Sequence, residues 1–77
     1  MKTIIMNLQE LKNQIGKRVK TLRQEKGWTQ KYVGELTDSK ESYISEVEAG
    51  KRNVSIKKLW LIAEALGAEV KVLLEPK

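Results

Sequence analysis

The side chains of this chain with chemical potential are charged or hydroxylic, and none is a histidine or a cysteine. Without histidine, the usual general base near neutrality and the commonest metal ligand are both missing. Without cysteine, neither a disulfide framework nor a thiolate metal site can form. Catalysis would fall to paired carboxylates or a serine–lysine arrangement. Glu46 and Glu48 lie two apart, so on a helix they face different sides. Ser45 and Lys40 have no pocket-building segment around them. These absences argue against an enzyme, and no metal or cofactor is expected. What remains is recognition. Fifteen Lys and Arg against ten Asp and Glu give a net charge of +5 and a pI near 9.6, a balance that suits a polyanionic partner.

The charge is unevenly placed. Residues 1–31 carry net +6, residues 32–50 net −4 and residues 51–77 net +3. The basic groups therefore flank the middle of the chain and do not lie on it. That middle, residues 29–50, reads TQKYVGELTDSKESYISEVEAG. Val33 and Leu36 give its first half an apolar face. Tyr43, Ile44 and Val47 do the same for its second half at helical spacing. Thr37, Asp38 and Ser39 between them suit a turn and a helix N-cap. Helix, short turn and helix is the pattern of a DNA-binding helix-turn-helix, whose second helix enters the major groove.

The motif letters go further. TQKYVG resembles the TQxxLA that opens the motif of the phage repressor and Cro (XRE/HTH_3-like) family, and ISEVEAGKR resembles the ISRIExGKR that closes it. Residues 29–51 align without a gap, and the similarity extends over about residues 8–67. The resemblance implies base-reading positions at Lys40, Glu41, Ser42 and Glu46, with Tyr43 at one edge. It implies phosphate contacts at Lys17, Arg18, Gln30, Lys51 and Arg52, and a structural ion pair between Arg23 and Glu48. Glutamate can accept from cytosine N4 and serine can serve either base type. A carboxylate beside phosphates is costly, so Glu41 and Glu46 either match a base closely or pair with a cation. The chain departs from the family at Gly34, where alanine is usual, and at Asp38, where the turn usually has glycine. Gly34 should cost its helix about 0.5–1 kcal/mol against alanine. Asp38 should need φ > 0, which Asp tolerates less well than Gly.

The supporting elements follow in order. Met1 to Met6 is a short arm, either a tail or an edge strand. Asn7 with Glu10 forms a capping box. Leu8, Leu11, Ile15, Val19 and Leu22 then make one apolar stripe, and Gly27 ends the helix. Trp28 is a core anchor beside the Thr29 cap. Ser39 is a better chemical cap than Lys40 for the reading helix, placed at about residues 40–49. Ser55 caps a fourth helix with Ile56, Leu59, Ile62, Ala63 and Leu66 inward, and Gly67 ends it. Trp60 and Leu61 fall beside that stripe, where the tryptophan either covers a gap or, the preferred reading, anchors a dimer partner.

Residues 68–75, AEVKVLLE, change period. Val70, Val72 and Leu74 alternate with Glu69, Lys71 and Leu73, which predicts a half-buried strand stopped by Pro76. A lone strand has unpaired edges and needs a partner, either the arm or its copy in a second subunit. This tail resembles that of the HipB-type antitoxins. The expected fold is all-α, a repressor-like helical bundle with a helix-turn-helix in residues 1–67, plus a C-terminal β-strand tail in residues 68–77 that pairs across a dimer. The expected function is that of a sequence-specific repressor reading a palindromic double-stranded DNA site as a homodimer. The rival is an antitoxin-like interaction module that binds DNA weakly without a cognate toxin. MKTIIM is too short and too weakly apolar for a signal peptide, and no run approaches a membrane span. A cytoplasmic, nucleoid-associated protein is expected.

Overall fold

The computed structural model describes residues 6–75, which form five α-helices and no strand. They are α1 (Leu8–Glu25), α2 (Gln30–Leu36), α3 (Glu41–Glu48), α4 (Ile56–Leu66) and α5 (Val70–Leu74). Residues 1–5 of the arm, with Pro76 and Lys77, lie outside the described residues.

Local chemistry sets the helix boundaries. Asn7 and Glu10 close the capping box: the Glu10 amide donates to Asn7 Oδ1 at 2.8 Å and the Asn7 amide to Glu10 Oε1 at 3.0 Å. Thr29 and Ser55 cap α2 and α4 by accepting from the amides of Tyr32 and Lys58. Gly67, at φ 68°, ends α4 in the left-handed region that glycine enters without penalty. The core gathers Ile15 and Val19 of α1, Val33 of α2, Ile44 and Val47 of α3, Leu59, Ile62, Ala63 and Leu66 of α4, and Leu73 of α5. Trp28 packs against it, edge-on to Tyr32 with ring centroids 5.0 Å apart. The apolar stripes are shorter than the sequence suggests. Leu8 is 63% exposed and Ile56, expected inward, is 87% exposed. Both sit in the first turn of their helices, beyond the reach of the core.

The tail corrects the reading of residues 68–77. It is helical where a strand was expected, so neither a strand nor strand pairing across a dimer is present in the described residues. The alternation of Val70, Val72 and Leu74 also fits a single helical turn, because a short apolar run does not fix its own period. The helix inverts the expected burial: Leu73 is fully buried and Leu74 is 41% exposed. Five residues make a marginal helix on their own, and tertiary contacts stabilise this one. α5 packs on α1 and α4. Two α1 side chains take up its last carbonyls: Arg18 Nε donates to the Val72 carbonyl at 3.1 Å, and Gln14 Nε2 donates to that of Leu74. Because the carbonyls find partners within the chain, the need for a partner strand disappears.

This difference is measurable. Leu73→Ala should cost about 2–5 kcal/mol in urea melts, as for a buried leucine, and Leu74→Ala less than about 1 kcal/mol. A strand with Leu74 inward would reverse the order.

Candidate nucleic-acid interface

α2 and α3 form the two arms of the motif, and a tight turn joins them. Thr37 is buried, and its hydroxyl donates to the Val33 carbonyl at 2.8 Å. Asp38 follows at φ 53°, the one non-glycine with positive φ among the described residues. The Ser39 amide then donates back to the Gly34 carbonyl at 2.8 Å. A Cβ on Gly34 would lie 2.7 Å from the Ser39 carbonyl oxygen. The helix penalty of Gly34 is thus accompanied by a need for it: an alanine would push against the turn backbone. The cap of α3 falls on Lys40, with no side-chain cap bond. Ser39, chemically the better cap, instead turns its hydroxyl to the Thr37 carbonyl at 3.1 Å.

Lys58 of α4 completes the turn. Its ammonium donates to the Thr37 carbonyl at 2.9 Å, the Asp38 carbonyl at 3.0 Å and Ser39 Oγ at 2.7 Å.

The far end of α3 is held by charge. Arg23 Nε lies 2.6 Å from Glu48 Oε2 and its Nη2 lies 3.0 Å from Oε1, a bidentate pair with side chains 12% and 4% exposed. Arg23 Nη1 donates to the Trp28 carbonyl at 2.8 Å, and Gln30 Nε2 donates to Glu48 Oε1 at 2.9 Å. One carboxylate thus joins α1, the start of α2 and the end of α3. Its hydrogen bonds to the Glu48 carboxylate raise the Arg23 guanidinium above its usual value, partly offset by burial, so it remains charged. Gly16 makes the approach possible. A Cβ there would meet the Val47 carbonyl and lie 2.6 Å from that of Glu48, so α3 ends directly on the α1 backbone.

Lys40, Glu41, Ser42 and Glu46 are all exposed on α3, as are Lys51 and Arg52 in the loop after it. Tyr43 is half-buried, and burial raises its phenol above the usual value, with Arg52 lowering it in part. Arg52 stands 4.7 Å from the centre of the Tyr43 ring, and its Nε lies 3.1 Å from Glu46 Oε1. An open groove of about 340 Å³ runs between turn and loop, lined by Asp38, Ser39, Lys40, Ser42, Tyr43, Arg52 and Lys58. The acidic centre of the chain is therefore less hostile to a polyanion than its net charge suggests. Glu46 and Glu48 are each matched by an arginine from outside residues 32–50. Lys17 is exposed on α1. Arg18, expected on a phosphate, instead directs its Nε to α5.

Lys58 and Gly16 were not singled out from sequence. A glycine inside a helical stripe is a packing signal, and Gly16 carried it. Lys58 carried none, since a lysine three residues after an N-cap is ordinarily solvated. Among the described residues, no group of three or more Asp and Glu is placed to hold a metal ion, and no helix is long and apolar enough to cross a membrane.

A helix-turn-helix braced at both ends, with an exposed polar face on its second helix, defines a DNA-binding regulator of the helix-turn-helix class. The sequence pattern of the HTH_3 helix-turn-helix family matches residues 19–73. The chain is 33% identical over 67 residues to the uncharacterised HTH-type transcriptional regulator y4dJ of Sinorhizobium fredii, covering 87% of each protein. Its fold matches the restriction-modification controller protein C.AhdI of Aeromonas hydrophila at a TM-score of 0.77 and 35% identity, over 80% of this chain and 94% of that one. It matches the clp gene regulator ClgR of Corynebacterium glutamicum at a TM-score of 0.80 and 33% identity, over 83% and 68%. A hypothetical transcription factor from Neisseria, NHTF, matches at 0.84 and 25% identity, over 99% and 87%. The chain belongs to the HTH_3 family and is a DNA-binding transcriptional regulator.

Glu48→Ala should destabilise the fold by more than about 1.5 kcal/mol in denaturant melts, because it leaves Arg23 partly buried without its carboxylate. A change near zero would show that the pair does not hold the helices together.

Proposed function

We propose that the protein is a repressor that reads a palindromic operator in double-stranded DNA as a homodimer. The observation that carries this reading is the exposed face of α3, held by Arg23 and Glu48 at one end and by the turn at the other. In this reading Lys40 and Ser42 contact base edges, with Tyr43, Glu41 and Glu46 beside them. Lys17, Gln30, Lys51 and Arg52 contact phosphates and set the register. Arg52 leaves Glu46 at little cost, because an exposed pair contributes only about 0–1 kcal/mol. Tyr43 offers a neutral hydroxyl, which a phosphate does not repel.

The dimer places two α3 helices in successive major grooves about 34 Å apart. Its surface is the exposed apolar side of α4, where Ile56 and Trp60 stand 87% and 52% exposed beside Leu61, with Leu74 of α5. Val70 and Val72 are half-buried within the chain and contribute less. Such a protein works where the DNA lies, in the cytoplasm. The likeness of the tail to HipB-type antitoxins rested on a C-terminal strand, and residues 70–74 are helical; the net −4 segment behind the partner-dependent reading has Glu46 and Glu48 matched by arginines, and that reading, with its toxin partner, is not carried forward.

Lys51→Ala combined with Arg52→Ala should weaken binding to all duplexes alike. It should flatten the dependence of log K on log salt by about two. Loss of binding to one sequence with an unchanged slope would remove both residues from the phosphate set.

A further inference from the structure

We infer that Lys58 is a positioning residue of the DNA-reading motif: its ammonium reaches back from α4, fixes the turn between α2 and α3, and so sets how α3 is presented. The inference rests on the reading of α3 as the base-contacting helix, and it adds a residue that touches no DNA.

The turn has two local weaknesses. Asp38 holds φ 53° without being glycine, a conformation disfavoured for a residue with a Cβ. α3 begins with no side-chain cap. Neither is repaired within residues 37–41. Lys58 compensates from outside. An ammonium has three donors and no acceptor, and here three oxygens converge on it: the carbonyls of Thr37 and Asp38 and the hydroxyl of Ser39, at 2.7–3.0 Å. The two carbonyls follow the C-terminus of α2, where a cation is favoured. The anchor itself is fixed, since the Lys58 amide donates to the Ser55 cap at 3.1 Å and the next residue, Leu59, is buried. Lys58 also stands 5.7 Å from the centre of the Tyr43 ring, so the same ammonium lies near the first turn of α3. Remove it, and the turn keeps the backbone bonds of the Thr37 and Ser39 amides to the Val33 and Gly34 carbonyls and the short side-chain contacts of Thr37 and Ser39, but no hydrogen-bonded tie to α4.

The chemistry separates positioning from simple charge. Three convergent acceptors suit a compact ammonium, whereas a planar guanidinium fork cannot donate to all three from one point. Arginine at this position would keep any attraction to phosphate but lose the clamp. The test compares Lys58→Arg and Lys58→Met with the wild type. Two duplexes are used: one that the wild-type protein enriches from a randomised pool, and a scrambled one of equal length. Hydrogen exchange of the Ser39 amide is followed alongside that of Val19 in the core. In both variants Val19 should keep its protection, while Ser39 loses roughly tenfold. Affinity for the enriched duplex should fall roughly tenfold, the size expected for losing hydrogen bonds from a charged group. For Lys58→Arg, affinity for the scrambled duplex and the salt slope should not change. Unchanged Ser39 protection in both variants overturns the inference. So does wild-type binding by Lys58→Arg when Lys58→Met loses both duplexes and about 0.9 of salt slope, since that marks a phosphate contact. If the wild type enriches no duplex, the base-reading proposal fails separately, and the Ser39 amide alone decides whether Lys58 fixes the turn.

Discussion

The Glu48 carboxylate is the point on which the rest of the structure depends. It accepts from Arg23 of α1 and Gln30 of α2 while belonging to the last turn of α3. A small helical domain has little apolar area with which to fix the mutual angles of its helices. Three short helices meeting over a few aliphatic side chains could slide without losing much burial. A nearly dry bidentate pair tolerates no such sliding, because displacement would leave one charge unpaired away from water. Gly16 allows the helices close enough for the pair to form, and Trp28 lends Arg23 a further acceptor through its carbonyl. The orientation of the reading helix is thus fixed by electrostatics acting over a core that supplies most of the stability.

The same logic explains an interface that looks wrong in charge alone. A helix carrying Glu41, Glu46 and Glu48 is a poor match for phosphates if all three charges face outward. Glu48 faces inward. Glu46 is exposed but lies against Arg52, which also covers Tyr43. The basic groups flanking the motif in sequence converge on it in space: Arg23 from α1, Arg52 from the following loop and Lys58 from α4. Lys51 and Arg52 stay exposed in the loop after α3, Arg52 with one flank against Glu46 and Tyr43. Much of the local positive charge therefore shapes the motif itself.

The sequence reveals the helix-turn-helix pattern and the caps of α1, α2 and α4, because each depends on residues adjacent in the chain, whereas the positive φ at residue 38 came from the family resemblance. The Arg23–Glu48 pair came from resemblance, since nothing local links residues 25 apart. The tail misled because AEVKVLLE fits two periods, and a tertiary fact decides between them: α1 offers Arg18 and Gln14 to the ends of a helix. That fact also takes the Arg18 Nε away from the phosphate role that the family resemblance implied. Lys58 and Ile56 show the same limit from opposite sides. A lysine that looks solvated is drawn in by three oxygens from another element, and an isoleucine that looks buried projects from a first turn beyond the core.

The central claim is that two copies of α3 read a symmetric site. Selection from a randomised duplex library at moderate salt, with the purified protein alone, tests it most directly. The account predicts enrichment of an inverted repeat whose half-sites lie about one helical turn, ~10–10.5 base pairs, apart. Protein shown to be folded that enriches no sequence above background would contradict it.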